Sequence, residues 1–301
     1  MVSVIIPYID EFQFLQDAMA SVVAQQEVET EIILVCNDKD FSGDELPFEA
    51  PPHRFLHEKV AGSAHARNAG LREATGEWVQ FLDVDDLLLA KKLFHQVEVT
   101  NADVVVSPHL YRFQNGKEEK SKWLHDDLWV GLLNSGLGST SSMLWRRQAL
   151  LEVNGWNTNY HSHQEYELLF RLMVTGKKIA TLDYSDTIVR QRKSGSITQN
   201  SLPVRWREGI RLREDIWQFI CNQQLETPER KNAFHQYLFR QLRGLYRQDR
   251  KAALSIYRQY FTQENFRPVG IHVPGYASLY RLLGFRNTER LLEVFVKLRD
   301  R

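Results

Sequence analysis

Asp83, Asp85 and Asp86 place three carboxylates within four residues, directly after an apolar run. Carboxylates so close repel one another, and the arrangement is cheap only where a cation or strong donors offset the charge. A hard divalent ion answers that need: magnesium or manganese takes one or two carboxylates, substrate phosphate oxygens and water. The competing reading is that one Asp caps the next helix while the others are solvated in a turn. Context favours the ion. Arg67, upstream, carries a forked donor suited to a diphosphate, and Asp38, after another apolar run, can accept from a nucleobase or ribose. No GxGxxG or GxxxxGK(S/T) motif lies near the first apolar run, which counts against a dinucleotide site or a P-loop. Together these residues suggest a nucleotide carried as a leaving group.

The elements that must position them alternate in kind. Val2 to Ile6 reads as a buried strand stopping at Pro7, and Phe12, Leu15, Met19 and Val22 form one stripe of an amphipathic helix. Ile32 to Cys36 is a second apolar run, followed by a loop from Phe41 to Pro52 heavy in Asp, Glu, Gly and Pro. Ser63 is placed to cap a helix from Ala64 to about Ala74, with Gly76 beyond its end, and Glu77 to Leu82 is a strand again. Ala90 to Thr100 is expected to be helical and Ala102 to Ser107 a buried strand. Strand, helix, strand crossovers call for parallel neighbours, so the first 110 residues predict a doubly wound α/β sheet with its ligands at the carboxyl ends of the strands.

The residues at those ends resemble a known family, the inverting glycosyltransferases of family 2. Val2 to Pro7 (VSVIIP), Phe14-Leu15, Ser21-Val22 and Gln25 are similar to its first strand and helix. Gly62-Ser63, Ala66-Arg67-Asn68-Ala69-Gly70, Ala74-Thr75-Gly76-Glu77 and Phe81-Leu82-Asp83-Val84-Asp85-Asp86 match its central signature. The resemblance spans roughly residues 2 to 200 and implies the GT-A fold, a Rossmann-like, doubly wound mixed sheet. It further implies that Asp83 faces the ribose or sugar of the donor, that Asp85 holds Mn2+ or Mg2+ on the diphosphate, and that Arg67 assists at the phosphates. Pro7, Tyr8 and Asp10 would line the donor, and either Asn37 or Asp38 would read the base. The family usually has Asn where Asp10 stands and Asp-Asp-Gly-Ser where this chain reads Cys36-Asn37-Asp38-Lys39. Near Arg190 to Ser196 it often has His in place of Arg192, in a loop that closes over the diphosphate, so Arg192 is assigned to phosphate binding.

Gly155-Trp156-Asn157 through Tyr160, then Gln164-Glu165-Tyr166-Glu167-Leu168 and Arg171-Leu172, resembles the segment in which an acidic pair opens a helix and supplies the catalytic base. Gln164 replaces the usual first acid, and Glu165 falls on the base position. Glu167 is two residues on, about 200° around the helix, and points elsewhere. An ordinary first-turn Glu favoured by the helix dipole is the competing reading of Glu165. His161 and His163 lack a third ligand nearby and are left outside the metal site. Gly136 to Ser142 (GLGSTSS) is either a plain loop or a place where an acceptor comes close to the backbone.

The 301 residues carry 38 Lys and Arg against 38 Asp and Glu, but the balance is uneven: residues 204–301 hold 19 basic and 10 acidic side chains. An acidic catalytic domain, 1–203, and a basic α-helical extension, 204–301, are expected. In the extension Ile210, Ile216, Phe219 and Ile220, then Phe234, Tyr237, Leu238 and Leu242, then Ala252, Ile256 and Tyr260 recur with helical spacing. Arg240, Arg243, Tyr246, Arg247, Arg250 and Arg258 read as a basic surface, with three uses open: a solvated cap on the acidic domain, contact with anionic lipid, or, last, nucleic acid, for which no recognised module is present. The tail Ser278 to Arg301, with Leu282-Leu283, Leu291-Leu292, Val294-Phe295 and Leu298 among basic residues, is expected to face a membrane or a partner.

Two cysteines, Cys36 and Cys221, form no disulfide framework, and no basic segment precedes the first apolar run. The expectation is a cytoplasmic protein, with attachment at the inner face of the membrane left open. The function expected is hexosyl transfer from a nucleotide-diphosphate sugar, a UDP-sugar first among them, to a hydroxyl of a glycan or lipid-linked acceptor in surface polysaccharide synthesis. The alternatives are a degenerate sugar-nucleotide or carbohydrate-binding relative, suggested by Asp10, Asn37 and Gln164, and a nucleotidyltransferase, which should carry a Gly-rich phosphate loop that is missing here.

Overall fold

The computed structural model describes residues 1–40, 46–121, 126–192, 202–261 and 266–299, with side chains to 295. The start of the Phe41 to Pro52 loop, Lys193 to Ser196 and the Leu298 side chain therefore lie outside the described residues. The chain forms two compact units, Met1–Ser196 and Ile197–Arg301.

The first unit is built on strands β1 (Val2–Tyr8), β2 (Thr30–Cys36), β3 (Arg54–His57) and β4 (Trp78–Phe81), with helices α1 (Phe12–Val23) and α2 (Ser63–Glu73) between them. After β4 come β5 (Leu87–Leu88), α3 (Lys92–Val97), β6 (Val104–Val106), β7 (Leu110–Arg112) and β8 (Glu118–Lys120). Then follow α4 (Leu128–Asn134), β9 (Leu144–Arg146), α5 (Arg147–Glu152), α6 (Gln164–Val174), β10 (Ile179–Thr181) and β11 (Thr187–Arg190). The main sheet has the order β10-β6-β9-β4-β1-β2-β3. It is parallel except for β9, which runs antiparallel to both β4 and β6 and makes the sheet mixed. A smaller sheet, β5-β11-β7-β8, stands beside the acidic loop that follows β4.

The core follows from alternation. Val2, Val4, Ile6 and Tyr8 all enter one apolar cluster with Leu15, Met19 and Val22 of α1, as the two-residue period of a strand requires. β1 therefore runs through Pro7, which is paired with Val35 of β2, and ends only at Tyr8. Ser63 is the first residue of α2 and not its cap; Gly62, at φ 128°, occupies the cap position. Helix α3 is shorter than its expected span, because Ala90, Lys91 and the residues after Val97 are not helical.

Helix α2 lies close on β1 because Gly70 faces Ile5: a Cβ at Gly70 would sit 2.4 Å from Ile5 Cγ2, which is fully buried. Gly70→Ala is therefore expected to destabilise the first unit by about 1–3 kcal/mol, measured by denaturant unfolding.

Just before β7, His109 is 4% exposed, and neither ring nitrogen has a hydrogen-bond partner among the described residues. Burial pushes its pKa down to about 4. The unfolded chain takes up this proton as pH falls through about 6.5, and the folded chain only near 4, so folding weakens across that window. His109→Phe should remove that part of the acid sensitivity, on the order of 3 kcal/mol between neutral pH and pH 4, in denaturant unfolding at a series of pH values.

The second unit consists of α7 (Leu202–Asn222), α8 (Pro228–Tyr246), α9 (Arg250–Phe261) and α10 (Tyr276–Arg299). Its core is aromatic: Phe239 packs against Phe261, Phe266, Tyr276, Tyr280 and Phe285 at centroid distances of 5.0–6.0 Å. Several arginines expected on its surface are used inside the unit. Arg243 pairs with the buried Glu289 at 2.6 Å and stacks on Tyr276, Arg250 pairs with Glu293, and Tyr246 is buried. No helix among the described residues is long and apolar enough to cross a bilayer.

Candidate active site

The carboxylate loop leaves the carboxyl end of β4, where the Asp86 amide donates to the Asp83 carbonyl across a tight turn. Ser141, in the one-turn helix Thr140–Ser142, fastens this turn. Its hydroxyl donates to Asp86 Oδ2 at 2.6 Å and accepts from the Asp83 amide at 3.1 Å. Asp86 is buried, and burial, then Asp83 and Asp85, raise its carboxyl well above the usual range. Asp86 therefore anchors the loop, and Asp83 and Asp85 are presented. The small-residue stretch around Ser141 thus has a positioning job that its composition alone did not disclose.

Two arginines meet the presented carboxylates. Arg67, buried on α2, donates from Nη2 to Asp83 Oδ1 at 2.6 Å and from Nη1 to Gln164 Oε1 at 2.8 Å, with its guanidinium 4.6 Å from the centre of the Trp156 ring. Gln164 also accepts from Ser63 Oγ at 3.0 Å and donates to the Tyr160 carbonyl at 2.6 Å. Just beyond β11, Arg192 places Nε 2.8 Å from Asp85 Oδ2 and Nη1 3.3 Å from Glu11 Oε1, and it lies over Phe14. Its neighbour Arg190 pairs with Asp17 at 2.7 Å and donates to the Asp85 carbonyl. The contacts run without a gap from Glu11 through Arg192 to Asp85, and from Asp83 through Arg67 to Gln164, the residue before Glu165. Glu11, Asp17, Ser141 and Arg190 are members that motif reading missed; their partners lie 55 to 181 residues away in the chain.

Among the described residues no group of three His, Cys, Asp or Glu side chains is arranged to hold a metal unaided. Asp85 nevertheless fits a hard cation. Burial first, then the Asp83 charge, raise its pKa and Arg192 lowers it, so a further cation beside this carboxylate would favour its charged form. A single carboxylate suits an ion whose other ligands are phosphate oxygens and water.

At the ends of β1 and β2, Tyr8 and Asn37 are both engaged by the protein itself. The Tyr8 ring points into the core at 2% exposure, beside Phe12, and Ile9, 43% exposed, takes the open position past the strand. Tyr8 is thus a core residue at the carboxyl end of β1. Asn37 is buried and fully engaged: its side-chain amide donates to the Glu58 and Val60 carbonyls and its oxygen accepts from the Gly62 amide, each at 2.8 Å. Asn37 therefore closes the loop that leads into α2, and Asp38 after it is half-buried, its Oδ1 accepting from the Asp40 amide at 3.0 Å. Asp10 is exposed and Pro7 half-buried at the same end of the sheet.

Glu165 lies half-buried in the first turn of α6. Glu167 is held inside, accepting from Asn157 and from Arg171 at 2.8–2.9 Å, as its angular position on the helix predicts. Trp156 is brought beneath Arg67 by a turn at Gly155, whose φ of 63° suits glycine, and Asn68 of α2 clamps Trp156 through two backbone hydrogen bonds of 2.8 Å.

A mixed, doubly wound sheet with a clamped carboxylate turn at its carboxyl edge is the architecture of the GT-A fold. The family model for glycosyl transferase family 2 matches residues 3–165, and the chain belongs to that family. An uncharacterized glycosyltransferase of Nostoc sp. is 32% identical over 169 residues, covering 50% of this chain and 52% of that protein. Another, from Rickettsia felis, is 25% identical over 206 residues, covering 63% of this chain and 33% of that protein. The chain thus spans a third to a half of the length of these relatives. The fold is shared with S. aureus TarS 1-349 in complex with UDP-GlcNAc, at a TM-score of 0.57 and 17% identity over 85% of this chain and 75% of that one. It is shared equally with the mannosyltransferase PcManGT from Pyrobaculum calidifontis in complex with GDP-Man and Mn2+, at a TM-score of 0.56 and 18% identity over 96% and 82%.

Proposed function

We propose that this family 2 member is a metal-dependent inverting hexosyltransferase. Its donor is a nucleotide-diphosphate sugar, a UDP-sugar first among them, and its acceptor a hydroxyl of a glycan or lipid-linked saccharide used in surface polysaccharide synthesis at the inner face of the membrane. The observation that carries this reading is the unbroken run of contacts joining the Asp83–Asp85 turn to Arg67, Arg192 and the start of α6. The nucleotide sugars named with TarS and PcManGT, and the Mn2+ named with the latter, support it.

Asp85 would hold Mn2+ or Mg2+, which supplies charge neutralisation at the departing diphosphate. Arg67 and Arg192, both matched to carboxylates here, offer the same forked donors to phosphate oxygens. Asp83 turns toward the ribose or sugar, and Pro7, Asp10 and Asp38 border the nucleoside. Glu165 takes the proton of the acceptor hydroxyl as that oxygen forms its bond to the anomeric carbon. The anomeric C–O bond to the diphosphate breaks on the opposite face, and its electron pair leaves with the diphosphate oxygen.

A binding-only relative is the weaker reading, since Asn37 and Gln164, two of the three departures that motivate it, have structural work of their own. A thermal-shift screen of UDP-, GDP- and dTDP-sugars with Mn2+ tests the proposal. One donor class should raise the melting temperature, the chelator EDTA should remove the shift, and the same donor should be slowly hydrolysed. Binding without any donor turnover would favour the binding module instead.

A further inference from the structure

Along α10 the acids Glu289 and Glu293 pair within the second unit, while three arginines stay outside. Glu289 is buried, accepting from Tyr276 Oη at 2.5 Å and pairing with Arg243, and Glu293 pairs with Arg250. Arg281, Arg286 and Arg290 are exposed and have no acidic partner among the described residues. Between them the helix breaks at Gly284, whose φ of 71° and ψ of 173° end one helical segment and begin the next. At that break Leu282 is 76% exposed and Leu283 41%. Farther on, Val294 and Phe295 are 51% and 59% exposed, with Val294 on the face that Arg286 and Arg290 share at four-residue intervals.

Large apolar side chains left in water at a helix break, flanked by arginines and free of acidic neighbours on α10's exposed positions, are costly unless something covers them. We propose that this α10 surface docks on an anionic phospholipid bilayer. Leu282 and Leu283 enter the interface, and Arg281, Arg286 and Arg290 meet lipid phosphates, the arginine stems adding apolar contact. Charge decides between the candidate occupants. A second copy meeting the same patch across a two-fold axis would face arginines with arginines. A nucleic acid would satisfy the arginines and leave the leucines uncovered. An anionic membrane answers both features. The inference deepens the membrane-side reading of the acceptor and rests on it only for its biological purpose.

Co-sedimentation of the full chain with vesicles, without donor or acceptor, tests the surface separately from sugar transfer. The chain should bind mixed phosphatidylcholine and phosphatidylglycerol vesicles, bind phosphatidylcholine alone far less, and be released by salt. Replacing Arg281, Arg286 and Arg290 together by Gln should weaken binding on the order of a hundredfold. Leu282→Asp with Leu283→Asp should abolish binding with an unchanged melting temperature, since both side chains are exposed. As an independent reading, Leu282→Trp should shift its fluorescence to shorter wavelength on anionic vesicles. Equal binding to both vesicle types, no binding, or a dimer that the Leu282 and Leu283 double variant dissolves would each overturn the proposal.

Discussion

Asp85→Ala should weaken Mn2+-dependent donor binding on the order of a hundredfold in calorimetry and leave the fold intact. Burial and then Asp83 disfavour the charge of this side chain, against Arg192 and a backbone hydrogen bond that favour it. Removing it relieves repulsion in the turn, while Asp86 and Ser141 continue to fasten the loop. What disappears is the oxygen donor for the ion. An affinity for nucleotide sugar with Mn2+ that matches the unaltered protein would sink the metal assignment.

Glu165→Gln should show the opposite division. Donor affinity should persist, because Arg67, Asp83 and Gln164 keep their mutual hydrogen bonds, whereas transfer should fall by about 10²–10⁴-fold for want of a proton acceptor. The first turn of α6 would keep its other acid, Glu167, and the weakened dipole interaction at residue 165 is worth about 0.3–1 kcal/mol, so the helix should hold. Steady-state rates beside donor titrations check this. A turnover near that of the unaltered protein would leave Glu165 an ordinary first-turn residue.

Much of this was legible in the residues, and the rest was hidden for identifiable reasons. The strands, α1, α2 and the acidic turn follow from local periodicity and from a run of residues that crowds charge. The end of β1 lies at Tyr8 and not at Pro7, because Pro7 still pairs in the sheet. Carried two residues further, the alternation of Val2, Val4 and Ile6 already puts Tyr8 in the core. Asn37 looked like a ligand-reading residue because its type suits one, but its three partners are backbone groups of a loop some twenty residues on. The antiparallel β9 is inserted from beyond residue 140, and nothing in the first 110 residues announces it. In the second unit, interleaved arginines and aromatics looked like a surface, yet stacking on Tyr276 and Tyr237 makes part of that pattern a core. The exposed basic face lies on α10, within the tail from Ser278 that the sequence had already marked out.

The most direct test of the account is stereochemical. Proton NMR of the sugar first released from an α-linked nucleotide-diphosphate sugar, with Mn2+ and water as the acceptor, reads the configuration at the anomeric carbon before it equilibrates. Attack opposite the leaving diphosphate, with Glu165 as base, predicts the β anomer, and Asp85→Ala should suppress its release. An α anomer from the unaltered protein, or release that proceeds unchanged in Asp85→Ala, would contradict the account.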